Sequence, residues 1–200
     1  MAESRVMTLA QWADMDEDEP GEYVDGVLVD EEDVGAEHDI VGAWLVGLLW
    51  TWLRPRGGFA GISETKFGVS RTRGRKPDTY VYLPGSRKPQ ARGLVTVPPD
   101  IMIEIVSPRP KDARRDRVEK LREYAAFGVR FYWIVDPADR TFEILELGAG
   151  SQYIHRVSAS DGTIDPVPGC EGLTLDLDEL WAKVDELGSE NGSSEDPAKS

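Results

Sequence analysis

The sequence predicts an α/β domain with a mixed central sheet, on three observations. The run Ile101-Met102-Ile103-Glu104-Ile105-Val106 is β-branched and almost continuously apolar, as a central strand is. Helical periodicity precedes it at residues 37–53 and follows it at residues 112–127. Short alternating segments bounded by Gly, Pro and Asp fill most of the remainder.

In chain order, Thr8 offers an N-cap for a short helix over residues 8–15. An acidic run leads to an N-terminal hairpin, strands 23–24 and 27–29, turning at Asp25-Gly26. Val41, Trp44, Leu45, Leu48, Leu49 and Trp52 recur at helical spacing until Pro55 and Gly57-Gly58 end the run, which defines the first long helix. Strands are expected at residues 59–62 and 65–70, then a basic loop Arg71-Thr72-Arg73-Gly74-Arg75-Lys76, then a strand over residues 78–83. A Pro/Gly-rich loop over residues 84–99 leads into the central strand.

The second helix is expected to begin near Asp112 and to end at Gly128, a left-handed C-cap, with Val118, Leu121 and Ala125 as its core stripe. Residues 131–135 and 141–147 form a hairpin around Asp136-Pro137, and a weaker strand covers residues 152–157. Residues 177–187 make a last amphipathic helix. The domain is thus placed at residues 1–187, and residues 188–200 read as a disordered polar tail.

Composition narrows the setting. The longest apolar stretch, residues 40–53, carries two glycines and falls short of the roughly 20 residues of a membrane-spanning helix. The N-terminus lacks the basic-then-apolar order of a secretory signal, and the single Cys170 has no disulfide or zinc companion, so a cytoplasmic chain is expected. A net charge of −14 argues against nucleic acid until its distribution is considered. Residues 54–130 hold 18 basic and 8 acidic residues, against one and 14 before them and four and 15 after them. A basic block therefore sits in an acidic frame, which fits a polyanion surface or a solvated face that merely segregates charge.

Glu104 carries the chemistry. An ionised carboxylate buried without partners costs several kcal/mol, so an acid inside a core strand needs a cation, water or a base beside it. Alternation puts Met102, Glu104 and Val106 on one face, and Asp78 opens the preceding strong strand. Two carboxylates meeting at a sheet edge suit Mg²⁺ or Mn²⁺. The bland alternatives are a salt bridge from Glu104 to a helix residue such as Lys120, a turn-capping Asp78 after Pro77, and a helical i,i+4 pair between Asp116 and Lys120. His38, at a helix start, reads as a cap or surface residue more readily than as a proton carrier.

The ordered set Pro77-Asp78, Pro99-Asp100 through Glu104 to Ser107-Pro108, Arg115-Asp116, Glu119-Lys120-Leu121, Tyr124 and Tyr132-Trp133-Ile134-Val135-Asp136-Pro137 resembles the Uma-type (Uma two) restriction endonuclease family, a branch of the PD-(D/E)xK superfamily. The similarity runs from about Glu22-Tyr23-Val24-Asp25-Gly26, past His38, to Leu173-Thr174-Leu175-Asp176. It implies a restriction-endonuclease-like α/β core and a metal-dependent endonuclease acting on DNA. Asp78, Glu104 and the Ile105 carbonyl would be the Mg²⁺ or Mn²⁺ ligands, and Asp78, Glu104 and Lys120 the catalytic set. Arg71, Arg73, Arg75 and Lys76 would grip flanking phosphates, and a homodimer would cut both strands. The sequence departs from the superfamily pattern where a lysine follows the acid by two residues: Val106 stands there, and Lys120 is the candidate relocated lysine. The alternative is a nuclease-fold protein that binds nucleic acid or a protein partner without cutting.

Overall fold

The computed structural model describes residues 6–16, 21–29, 35–107 and 115–187. Its centre is a six-stranded sheet made of β3 (Phe59–Ile62), β6 (Thr79–Tyr82), β7 (Ile101–Ile105), β8 (Phe131–Asp136), β9 (Thr141–Leu147) and β10 (Tyr153–Ala159). They lie side by side in the order β10-β9-β8-β7-β6-β3. Only β7 and β8 run parallel, and every other pair is antiparallel, so the sheet is mixed as expected.

A second sheet gathers β1 (Glu22–Val24), β2 (Val27–Val29), β4 (Phe67–Ser70) and β5 (Arg73–Arg75) in the order β2-β1-β5-β4. Asp25 and Gly26 both take positive φ, the geometry of a tight two-residue hairpin turn. The short helix α1 (Leu9–Ala13) starts on a capping box formed by Thr8 and Gln11, and its Trp12 ring lies over Gly74. A Cβ on Gly74 would come within 2.3 Å of that ring, so β5 needs glycine there.

Alternation along β7 divides the core. Ile101, Ile103 and Ile105 face a cluster built with α2 (Ala36–Leu53) and α4 (Leu177–Glu186). The strands β11 (Thr163–Ile164) and β12 (Leu175–Asp176) close that side, and Cys170 is buried there. Met102 and Val106 face the other cluster, with Phe67, Tyr132, Ile134 and Tyr124 of α3 (Leu121–Phe127). Each fully buried side chain of this size contributes about 1.5–3 kcal/mol, so both faces of β7 are held firmly. That rigidity fixes the position of Glu104.

Three expectations change. Residues 71–76 are not a loop: Arg73–Arg75 is β5, hydrogen-bonded between β1 and β4. The second helix enters α3 through a π-type turn at Arg115–Lys120, whose wider i→i+5 spacing rotates the face inferred from a period of 3.6. Val118 is consequently exposed while Asp116 and Lys120 are buried. Asp112, and the polar tail of residues 188–200, lie outside the described residues. Gly128 does take the left-handed C-cap, with φ 92°. Among the described residues no helix is long and apolar enough to cross a membrane.

Candidate active site

Thr79 pairs with Ile103 and Tyr80 with Met102, so one further step of this antiparallel register sets Asp78 across from Glu104. The two carboxylates line one cavity of about 190 Å³ together with Glu22, His38, Asp116 and Lys120. Asp78 is anchored at both oxygens. The Ile105 N–H donates to Oδ2 at 2.7 Å, and His38 Nε2, from the first turns of α2, lies 3.1 Å from Oδ1. Burial alone would lower the His38 pKa, but its hydrogen bond to Asp78 and the charges of Asp78, Asp39 and Asp116 raise it overall.

Glu104 is 2% exposed. Lys120 Nζ donates to its Oε2 at 2.8 Å, and the Tyr124 hydroxyl donates to its Oε1. The π-type turn brings Lys120 to this point, and its ammonium also lies 3.2 Å from Asp116 Oδ1 and 3.5 Å from Glu22 Oε1. Among the described residues Asp116 Oδ1 finds no hydrogen bond of good geometry, so its contact with Lys120 is ionic. One ammonium thus stands among three buried carboxylates.

The electrostatics follow from that imbalance. Loss of water pushes the Glu104 pKa well above its usual value; Lys120 pulls it back, and Asp78, Asp116 and Glu22 push it further up. Burial likewise raises Asp116. Burial would lower Lys120, but Asp116, Glu104, Glu22 and Asp78 together hold its pKa well above the normal range. Glu22 is the exception, because Lys120 and Arg75 overcome its own desolvation and lower its pKa.

The donor set fits a hard divalent cation. Mg²⁺ keeps several waters and needs only one or two protein carboxylates, and a surplus of buried negative charge favours a cation. Among the described residues no three His, Cys, Asp or Glu side chains form a ready cation cage, so main-chain oxygen and water would complete the shell. The main-chain oxygen expected from the sequence belongs to Ile105, whose N–H meets Asp78.

The basic segment before Asp78 is placed differently from the expectation. Arg75 is fully buried, with Nη1 on Glu22 at 2.6 Å and a two-point contact to Glu123. Arg73 binds Asp25 and Glu123, and Lys76 binds Glu64 at 2.8 Å. These three side chains tie the small sheet to α3 and to the site wall, and Arg71 alone stays exposed. Sequence reasoning also passes over Glu22 and Tyr124 as site residues. An acid opening a hairpin strand is a weak signal for the first, and the second stands out only as one position of the family-like set, with no role attached to it.

A family model described as "Uma2: Putative restriction endonuclease" matches residues 7–178. A crystal structure titled as that of "a putative nuclease belonging to DUF820" from Anabaena variabilis ATCC 29413 superposes with a TM-score of 0.70 at 20% sequence identity. The match covers 89% of this chain and 99% of that one, and at such identity it establishes the fold alone. No curated protein matches the sequence.

Proposed function

The chain belongs to the Uma2 family, whose model spans most of its length, and from that premise we propose that it is a metal-dependent endonuclease hydrolysing phosphodiester bonds in DNA. The observation that carries the reading is the β6–β7 register, which brings Asp78 across from Glu104 in one cavity while Lys120 reaches Glu104 from the helix layer.

Asp78, Glu104 and the Ile105 carbonyl would hold Mg²⁺ or Mn²⁺. Such an ion polarises the scissile phosphate and acidifies a bound water. The chain's own groups prepare the site. His38 and the Ile105 N–H fix both oxygens of Asp78, and Tyr124 holds the Glu104 oxygen that Lys120 leaves. Lys120 supplies a fixed positive charge where the attacked phosphate gains negative charge, in a place poor in competing water. Cutting both strands of a duplex calls for two such sites, so we take the active unit to be a homodimer, which sedimentation would test.

Cleavage of supercoiled plasmid, single-stranded DNA and RNA in Mg²⁺ or Mn²⁺ tests the assignment. Asp78→Ala and Glu104→Ala should each lower the rate by about 100-fold or more. Undiminished cleavage by both variants would overturn it. The second reading, binding without cutting, is favoured by Val106 at the position where the superfamily pattern has lysine, and it predicts metal-independent DNA binding with no product.

A further inference from the structure

Beside the carboxylate cavity lies a second one of about 490 Å³, within the range of small-ligand sites. Ser63 and Glu64, in the turn between β3 and β4, line both cavities, so the two adjoin across that turn. Lys76 binds Glu64 at 2.8 Å and offsets the only carboxylate that the described residues bring to the second lining. Among the described residues, Tyr80 brings an aromatic ring to this lining. Tyr80 occupies the face of the sheet that carries Met102 and, in register, Glu104. Its ring crosses β3 at Gly61, where a Cβ would come within 2.2 Å of it, and it packs edgewise on Phe67 and Tyr82.

The cations near this cavity differ from those expected to grip phosphate. Arg73, Arg75, Lys76 and Lys120 are held in ion pairs, and Lys66 donates to the main-chain carbonyls of Trp12 and Met15. Arg92 lines the cavity from the loop between β6 and β7, is exposed, and enters no ion pair among the described residues; Lys88, next to the lining residue Pro89, is outside the lining but likewise exposed and without an ion pair among those residues. Thr65, whose hydroxyl meets the Tyr80 hydroxyl at 3.0 Å, and Gln90 add neutral hydrogen-bonding groups.

We propose that this cavity is the subsite for the nucleotide next to the scissile phosphate, with the Tyr80 ring receiving a base and Arg92, supported by Lys88, receiving the adjoining phosphate. An aromatic ring with unpaired cations beside it is the combination that binds single-stranded segments, because every base can stack and every phosphate is an anion. The proposal rests on the endonuclease reading and adds to it the strand's path across the surface.

The test is fluorescence anisotropy of a short fluorescein-labelled DNA single strand and its duplex, in EDTA so that no turnover intervenes, followed by cleavage kinetics in Mn²⁺. The double variant Arg92→Glu, Lys88→Glu should bind about tenfold more weakly, and its log K against log salt should be shallower by about 1 for each phosphate it no longer engages. Tyr80→Ala should weaken the single strand by about tenfold, with Tyr80→Phe close to the parent. Arg54→Glu, a single charge reversal at the exposed end of α2 to be compared with Arg92→Glu alone, should change neither. In cleavage, the charge variants should raise KM and leave kcat unchanged. Parent-like binding by the double variant, or an equal weakening by Arg54→Glu, overturns the subsite alone. A parent protein that binds DNA through Arg92 and Lys88 but cuts nothing overturns the endonuclease reading instead, and a parent that binds no DNA overturns both.

Discussion

Lys120 is buried with three carboxylates around it, and that makes its removal more damaging than the removal of one hydrogen bond. Stripping one partner from a buried ionic group costs about 3–5 kcal/mol. Lys120→Met should lower the unfolding free energy by about that much in urea titrations, and adding Glu104→Gln should recover part of it, because the two act on one interaction. His38 gives a pH signature. Its pKa is higher in the fold than the ordinary 6.5, so its stabilising contact with Asp78 is complete below pH 6.5 and fades as pH rises through the folded value. The gap in melting temperature between the parent and His38→Gln, measured in EDTA, should therefore be wider at pH 5.5 than at pH 8.5. Glu104 can be singled out from the sequence because an acid in an apolar strand is unusual, whereas Asp78 and Lys120 are drawn to it by their neighbouring elements and gain their assigned roles from the family resemblance. Glu22 and Tyr124 cannot be singled out as site residues, since their place depends on how a distant hairpin and α3 pack.

Long apolar segments such as α2 and β7 are readable because burial dictates their period. β5 is not, because Arg-Gly-Arg has no apolar alternation and its strand state comes from ladder bonds to β1 and β4 and from the ion pairs of Arg73 and Arg75. The same holds for the π-type turn, where the pull of Lys120 toward Glu104 prevails over the helical stripe that would have buried Val118. Gly74 tests the small sheet as a unit. Gly74→Ala would press a methyl group into the Trp12 ring, and overpacking of this kind costs about 1–3 kcal/mol, so the urea midpoint should fall accordingly. The shift should be accompanied by exposure of Trp12, visible as a red-shifted fluorescence component.

At the level of the whole chain, part of the basic block in the middle of the sequence turns inward: Arg73, Arg75 and Lys120 face acids from the first third and from α3, while Arg54, Arg71, Lys88 and Arg92 stay exposed. Composition detects the block, but pairing is tertiary and leaves no local trace. A divalent cation at the Asp78 and Glu104 cavity would relieve the surplus charge and bind the folded chain only. Mn²⁺ at about 100 times its dissociation constant should then stabilise by about 2.7 kcal/mol, or about 5–10 °C in melting temperature for a chain of this size, and Asp78→Ala should abolish the shift. Cys170 offers a readout that needs neither substrate nor metal. It is the sole cysteine, lies in the cluster under α4, and burial pushes its thiol up to about 12. A thiolate-seeking reagent should thus find nothing to modify until the interior opens, and the speed of labelling at neutral pH would serve as a clock for spontaneous opening of the fold.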